Sequence, residues 1–135
     1  MNSTDNIERI QLIVEAGAER TESSGFWGRL TYDNNLLVDQ ADTVDALQHN
    51  MRQLLLDFHG VSQVEFSLTY DLYAFFEHYS YLKISKIAAY AGLNPSLLRH
   101  YKAQTKFPSA EQVKRIETAV HRLANELKQV QLVAA

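Results

Sequence analysis

The stretch "IAAYAGLNPSLLRHYKAQTKFPS", residues 87–109, encodes two short helices and the turn between them. Ala88, Ala89 and Ala91 give the first helix small side chains, so a second helix can cross it closely. Gly92 follows, and glycine enters the positive-φ conformation that ends a helix in a tight turn without steric cost. Asn94 and Pro95 then form an N-cap followed by a first-turn proline, whose missing N–H has no intrahelical partner to lose. In the helix they open, Leu98 and Tyr101 point inward at i and i+3, leaving Ser96, Arg99, His100 and Ala103 outward. Lys83, Lys86, Lys102 and Lys106 flank this helix.

These are the requirements of a helix-turn-helix. Its second helix buries one narrow side and leaves the other free for the major groove, with cations beside it for phosphates. The 3.6-residue period holds on both sides of the quoted stretch. Upstream, "DLYAFFEHYSYL" sets Leu72, Phe75, Phe76 and Tyr79 on one stripe, which is expected to be core, and Ser85 is expected to cap the next helix. Downstream, Ser109 and Gln112 form a capping-box pattern that starts a long final helix. On it Val113, Ile116, Val120, Leu123, Leu127 and Val130 recur as an a/d seam. Val113 to Val120 are expected to cover the helical core. Leu123, Leu127 and Val130 lie beyond it and are expected to pair two chains into a homodimer or higher homo-oligomer.

Before residue 71 the period is two. Ile10, Leu12 and Val14 alternate with Arg9, Gln11 and Ile13, and "TESSG" (21–25) is a turn cluster. "FWGRLTY" is a second strand, "DNN" a turn and "LLVDQA" a third strand. A helix follows in "DTVDALQHNMRQLLLDFHG", with Val44, Leu47, Met51, Leu54 and Phe58 on one stripe, Asp42 or Thr43 as cap and Gly60 as stop. "QVEFSLTY" alternates again, and a strand reached through a helix returns parallel to an earlier one. The reading is an α+β chain: a β-β-β-α-β module over residues 1–70, then an all-α module over 71–135.

The net charge of −3 conceals a division. Residues 1–70 hold four Arg against eleven Asp/Glu, a balance of −7, and residues 71–135 hold nine Lys/Arg against five Asp/Glu, a balance of +4. Such a split points to two modules with different partners, the basic one facing an anionic polymer. With no cysteine there is no disulfide, thiolate metal site or cysteine nucleophile. A polar N-terminal stretch and the lack of any apolar run of membrane-spanning length lead us to expect a cytoplasmic protein without membrane contact.

Asp33, Asp39, Asp42 and Asp45 could be imagined as a nuclease carboxylate cluster, but capping and turn formation explain them better. His49 and His59 are spaced unlike a common ligand pair, and Trp27 reads as a packed strand aromatic. There is no phosphate loop, dinucleotide fingerprint or Ser-His-Asp arrangement, so neither enzymatic activity nor a cofactor is expected.

Two resemblances sharpen these expectations. "ISKIAAYAGLNPSLLRHYKAQTKFPSAEQVKRIETAV" resembles the phage-repressor-type (Xre-family) helix-turn-helix over about residues 72–123. The resemblance implies that Asn94, Ser96, Arg99 and His100 fall at or near base-reading positions. It also sets Lys86 and Lys106 near phosphates, with Lys102 on the same helix. "GFWGRLTYDNNLLVDQADTVDALQHNMRQLLLDF" is similar to the HicB antitoxin domain, which implies a partial RNase H-like sheet that binds and blocks a HicA-like mRNA-cleaving toxin. Together they imply an antitoxin that also represses its own operon by binding operator DNA. The alternative is a one-component regulator whose first module senses a small ligand or mediates assembly.

Overall fold

The computed structural model of the chain describes residues 7–16 and 25–134; the expected turn at residues 21–25 lies outside them except for Gly25. The described residues form a mixed α+β structure with a four-stranded sheet and five helices. In chain order these are β1 (Glu8–Ala16), β2 (Phe26–Tyr32), β3 (Asn35–Ala41), α1 (Val44–His59), β4 (Val64–Tyr70), α2 (Leu72–His78), α3 (Ile84–Ala91), α4 (Pro95–Lys102) and α5 (Ala110–Lys128). The chain divides into two compact units between His78 and Tyr79. None of the described helices is long and apolar enough to cross a membrane.

In the first unit the strands lie in the order β3-β2-β1-β4. β2 runs antiparallel to β1 and β3, while β4 is parallel to β1, with Ile10 opposite Phe66 and Leu12 opposite Leu68. The β2–β3 hairpin closes through Asp33 and Asn34, both at positive φ. Two such residues in succession make a primed turn, whose twist matches that of the strands.

Alternation puts Ile10, Leu12, Val14 and Leu30 on one sheet face, where they meet Val44, Leu47, Met51 and Leu55 of α1. Each large side chain buried here contributes about 1.5–3 kcal/mol. Thr43 caps α1 through its side chain, accepting from the Ala46 N–H, and Gly60 ends it in the left-handed conformation. The buried stripe departs from the expected one in the last turns. Leu55 is fully buried, Leu54 is half-buried and Phe58 is 72% exposed. An unsupercoiled helix turns at 3.6 residues, so a stripe spaced 3, 4, 3, 4 drifts off the sheet by its end.

The first unit continues past Tyr70, the expected module boundary, because α2 shares its core. Ala74 is buried in the same cluster as Val14 and Met51, and the Asp71 N–H donates to the Val14 carbonyl at 3.0 Å. The His78 ring stacks on Tyr70 and meets Phe26 edge-on. The expected aromatic core stripe is corrected accordingly: α2 buries Ala74 and Phe76, whereas Phe75 and Tyr79 are only half-buried.

In the second unit α3 packs against α4 and α5. Its buried residues are Ile87, Ala88 and Ala91 of α3, Leu98 and Tyr101 of α4, and Ile116 and Ala119 of α5. Ser85 does not cap α3; the N-cap is Lys83, without a side-chain hydrogen bond, and Ser85 lies inside the first turn. Ser109 and Gln112 close both halves of a capping box on α5. The expected seam of α5 is altered too. Val113 is exposed, Ala119 takes the core position beside Ile116, and Val130 lies beyond the helix end.

Candidate nucleic-acid interface

The site is built outward from the turn at Gly92. Gly92 sits at φ 68° and its N–H bonds back to the end of α3. Arg115 of α5 then locks the turn from outside: its Nε donates to the Ala91 carbonyl at 3.1 Å and its Nη2 to the Gly92 carbonyl at 2.9 Å. A cation here meets the negative end of the α3 dipole as well as carbonyls that lack helical partners. Sequence spacing does not show this role of Arg115, because its contacts span 24 and 23 residues and follow no local period.

Asn94 opens α4 through its Oδ1, which accepts the Ser96 N–H at 2.9 Å. Its side chain is therefore engaged in the cap. Leu98 and Tyr101 are buried as expected, and Ser96, Arg99 and His100 are exposed together along the opposite side of α4. The Tyr101 hydroxyl donates to Gln112 Oε1 at 2.6 Å, joining α4 to the capping box of α5. This orients α4 through a polar bond as well as through its buried side chains.

Lys102 is half-buried at the end of α4, and Lys106 is exposed in the loop after it. Between them Gln104 adopts φ 61°. The Gln104 N–H bonds to the Tyr101 carbonyl and the Thr105 N–H to the His100 carbonyl. These are the paired bonds of a Schellman ending with a non-glycine residue in the left-handed position. They bring Thr105 beside His100, with Thr105 Oγ1 2.7 Å from His100 Nδ1.

Lys86 is exposed on α3, with its ammonium 4.7 Å from the centre of the Tyr90 ring. Arg122 of α5 sits over the same ring at 4.4 Å, and the Tyr90 hydroxyl donates to Glu126. Arg122 thus joins Lys86 as a second fixed cation, a pairing that sequence spacing did not reveal. Among the expected dimer residues, Leu123 is half-buried, Leu127 is 60% exposed and Val130 is 57% exposed.

With the boundary after His78, the second unit holds nine Lys/Arg against three Asp/Glu, a net +6, and the first holds four against thirteen, a net −9. Among the described residues no group of three or more His, Asp or Glu is placed to hold a metal ion. Comparison with protein-family models, curated proteins and solved structures returned no match to this chain.

Proposed function

We propose that this protein is a DNA-binding repressor of the antitoxin kind. Its second unit is a helix-turn-helix that presents α4 to the major groove of an operator, and its first unit, a partial RNase H-like module, holds a HicA-like toxin. One observation carries the DNA reading. α4 is anchored on one side by Leu98, Tyr101 and the Asn94 cap, while Ser96, Arg99 and His100 stand exposed on the other, within a unit of charge +6. A short helix held this firmly and left free along a polar stripe is suited to entering a groove. The toxin reading draws support from the −9 charge of the first unit, since an RNA-cleaving protein presents a basic face. It draws support too from the β-β-β-α-β order, in which β4 pairs parallel to β1.

The test is binding to the DNA upstream of the gene and to random duplex, over a salt series. Specific binding should weaken with salt, with a logarithmic slope of about 0.9 per phosphate neutralised. Arg99→Ala should cost roughly 1–3 kcal/mol on the specific site and little on random DNA. Lys106→Ala should weaken both equally and flatten the slope. No preference for any duplex over random DNA would overturn the repressor reading. Co-expression with the product of the neighbouring gene tests the other half: the full chain should suppress its RNA cleavage and co-purify with it.

A further inference from the structure

The ending of α4 fixes which nitrogen of His100 faces outward. Thr105 Oγ1 lies 2.7 Å from His100 Nδ1 and 3.2 Å from the His100 carbonyl oxygen. A hydroxyl has one proton and two acceptor lone pairs. If it donated to Nδ1, its lone pairs would face the carbonyl oxygen across 3.2 Å with no proton between them. If it donates to the carbonyl, Nδ1–H donates to the hydroxyl, and both contacts become hydrogen bonds.

We infer that Thr105 holds His100, an exposed residue, in the Nδ1–H tautomer, so that Nε2, the ring nitrogen not engaged by Thr105, is an acceptor and reads an amino group on the major-groove edge of a base, adenine N6 or cytosine N4. This rests on the DNA-binding reading above and adds to it the chemical class of base that the site selects. Guanine and thymine offer only acceptors at the corresponding edge, so an acceptor Nε2 discriminates against them. Thr105 is a positioning residue here: it touches no base and acts through the imidazole. Its own place is set by the turn at Gln104, whose φ of 61° brings the chain back over the end of α4.

The tautomer is measured first, on the full-length free protein, by nitrogen-15 NMR of the imidazole side chains at about pH 8, where imidazoles are generally neutral. His100 should show a protonated Nδ1 and an unprotonated Nε2. The hydroxyl-bearing Thr105→Ser should retain this pattern, and Thr105→Val should lose it. A protonated Nε2 in the wild-type protein would overturn the inference whatever the protein binds.

Base preference is then read by selecting binding sites from random duplexes at the same pH. The wild-type protein should restrict one position to adenine or cytosine on the contacted strand, by roughly three- to tenfold over guanine or thymine. Thr105→Val should lose or reverse that preference, Thr105→Ser should keep it, and His100→Ala should abolish it while other positions stay selected. A preference unchanged in Thr105→Val and His100→Ala would overturn the base-reading role. Selection of no sequence at all, with the expected tautomer in place, would overturn the DNA reading and the base-reading role resting on it.

Discussion

Arg115 donates to the carbonyl oxygens of both Ala91 and Gly92, so one guanidinium from α5 closes the turn on which the α3–α4 pair depends. A charge-assisted hydrogen bond contributes about 1.5–3 kcal/mol, less where water competes. Arg115→Met, which keeps much of the stem, should therefore lower stability by roughly 1–2 kcal/mol in urea unfolding. Arg115→Lys should recover only part of this, because an ammonium lacks the planar fork that reaches two carbonyls at once. Full recovery by lysine would mean that charge at the α3 terminus matters and fork geometry does not.

A second close approach governs the first unit. A Cβ placed on Gly28 would lie 2.8 Å from Cδ2 of Leu47, a side chain wholly buried between α1 and the sheet. Gly28→Ala should force Leu47 or the helix to shift, a loss of about 1–3 kcal/mol. Gly28→Ala combined with Leu47→Ala should be less damaging than the sum of the single changes, since the smaller helix residue makes room for the methyl group. Simple additivity in a double-mutant cycle would show that Gly28 is required for another reason.

Local chemistry made much of this fold legible. Thr43, Asn94 and Ser109 announce helix starts, and Gly60 and Gly92 announce stops, because capping involves only neighbours within about four residues. Period-two runs likewise identify β1, β2 and β4, while β3 is marked by the turn that precedes it. What the sequence concealed depends on distant partners. Leu55 rather than Phe58 faces the sheet because α1 keeps its 3.6-residue period against it, and Ala119 enters the core where α3 packs on α5. A search for large apolar residues passes over an alanine. In the candidate site, Ser96, Arg99 and His100 were readable from helical spacing alone. Thr105, Arg115 and Arg122 were not, since each acquires its role through a turn or another helix.

Asp71 provides a pH-dependent test of how α2 is attached. Its Oδ1 accepts the Ala74 N–H at 2.7 Å. Although Asp71 as a whole remains exposed, partial loss of hydration pushes its carboxyl pKa above the ordinary carboxylate value, outweighing the backbone hydrogen bonds that pull it down. A raised folded-state pKa means that the folded protein binds more protons than the unfolded one between the two pKa values. The Asp71 contribution to stability should therefore fall as pH rises through that window, which starts near the unfolded value of about 3.9, and level off above it. Asp71→Asn retains an acceptor and does not titrate, so it should be at least as stable as wild type at neutral pH and lack this slope. Asp71→Ala should lose about 0.5–2 kcal/mol with the cap. Equal losses for Asn and Ala at neutral pH would show the ionised carboxylate to be a net stabiliser.

If the proposed repressor reading holds, the end of α5 is where two chains would pair on an operator. Leu127 projects into solvent from the last turn, Leu123 is half-buried one turn earlier, and Val130, Leu132 and Val133 are exposed beyond the helix. Because α5 ends at Lys128, a pairing seam on this helix would be shorter than the heptad pattern suggested and would rest on Leu123 and Leu127. Fully burying an exposed leucine contributes about 1.5–3 kcal/mol, and the half-buried Leu123 has correspondingly less to gain. The proposed two-fold pair would draw on this burial, and under the repressor reading it would set two copies of α4 about one turn of DNA apart. Leu123→Lys with Leu127→Lys should remain folded by circular dichroism, because neither residue belongs to the buried set of Ile116 and Ala119 and a lysine stem can cover the half-buried site. The double mutant should sediment as a monomer, lose tight operator binding and retain weak binding to random duplex. Leu127→Lys alone should shift the monomer–dimer equilibrium in the same direction with no loss of helicity. A double mutant that remains folded, with unchanged mass and undiminished operator affinity, would place the pairing surface outside α5.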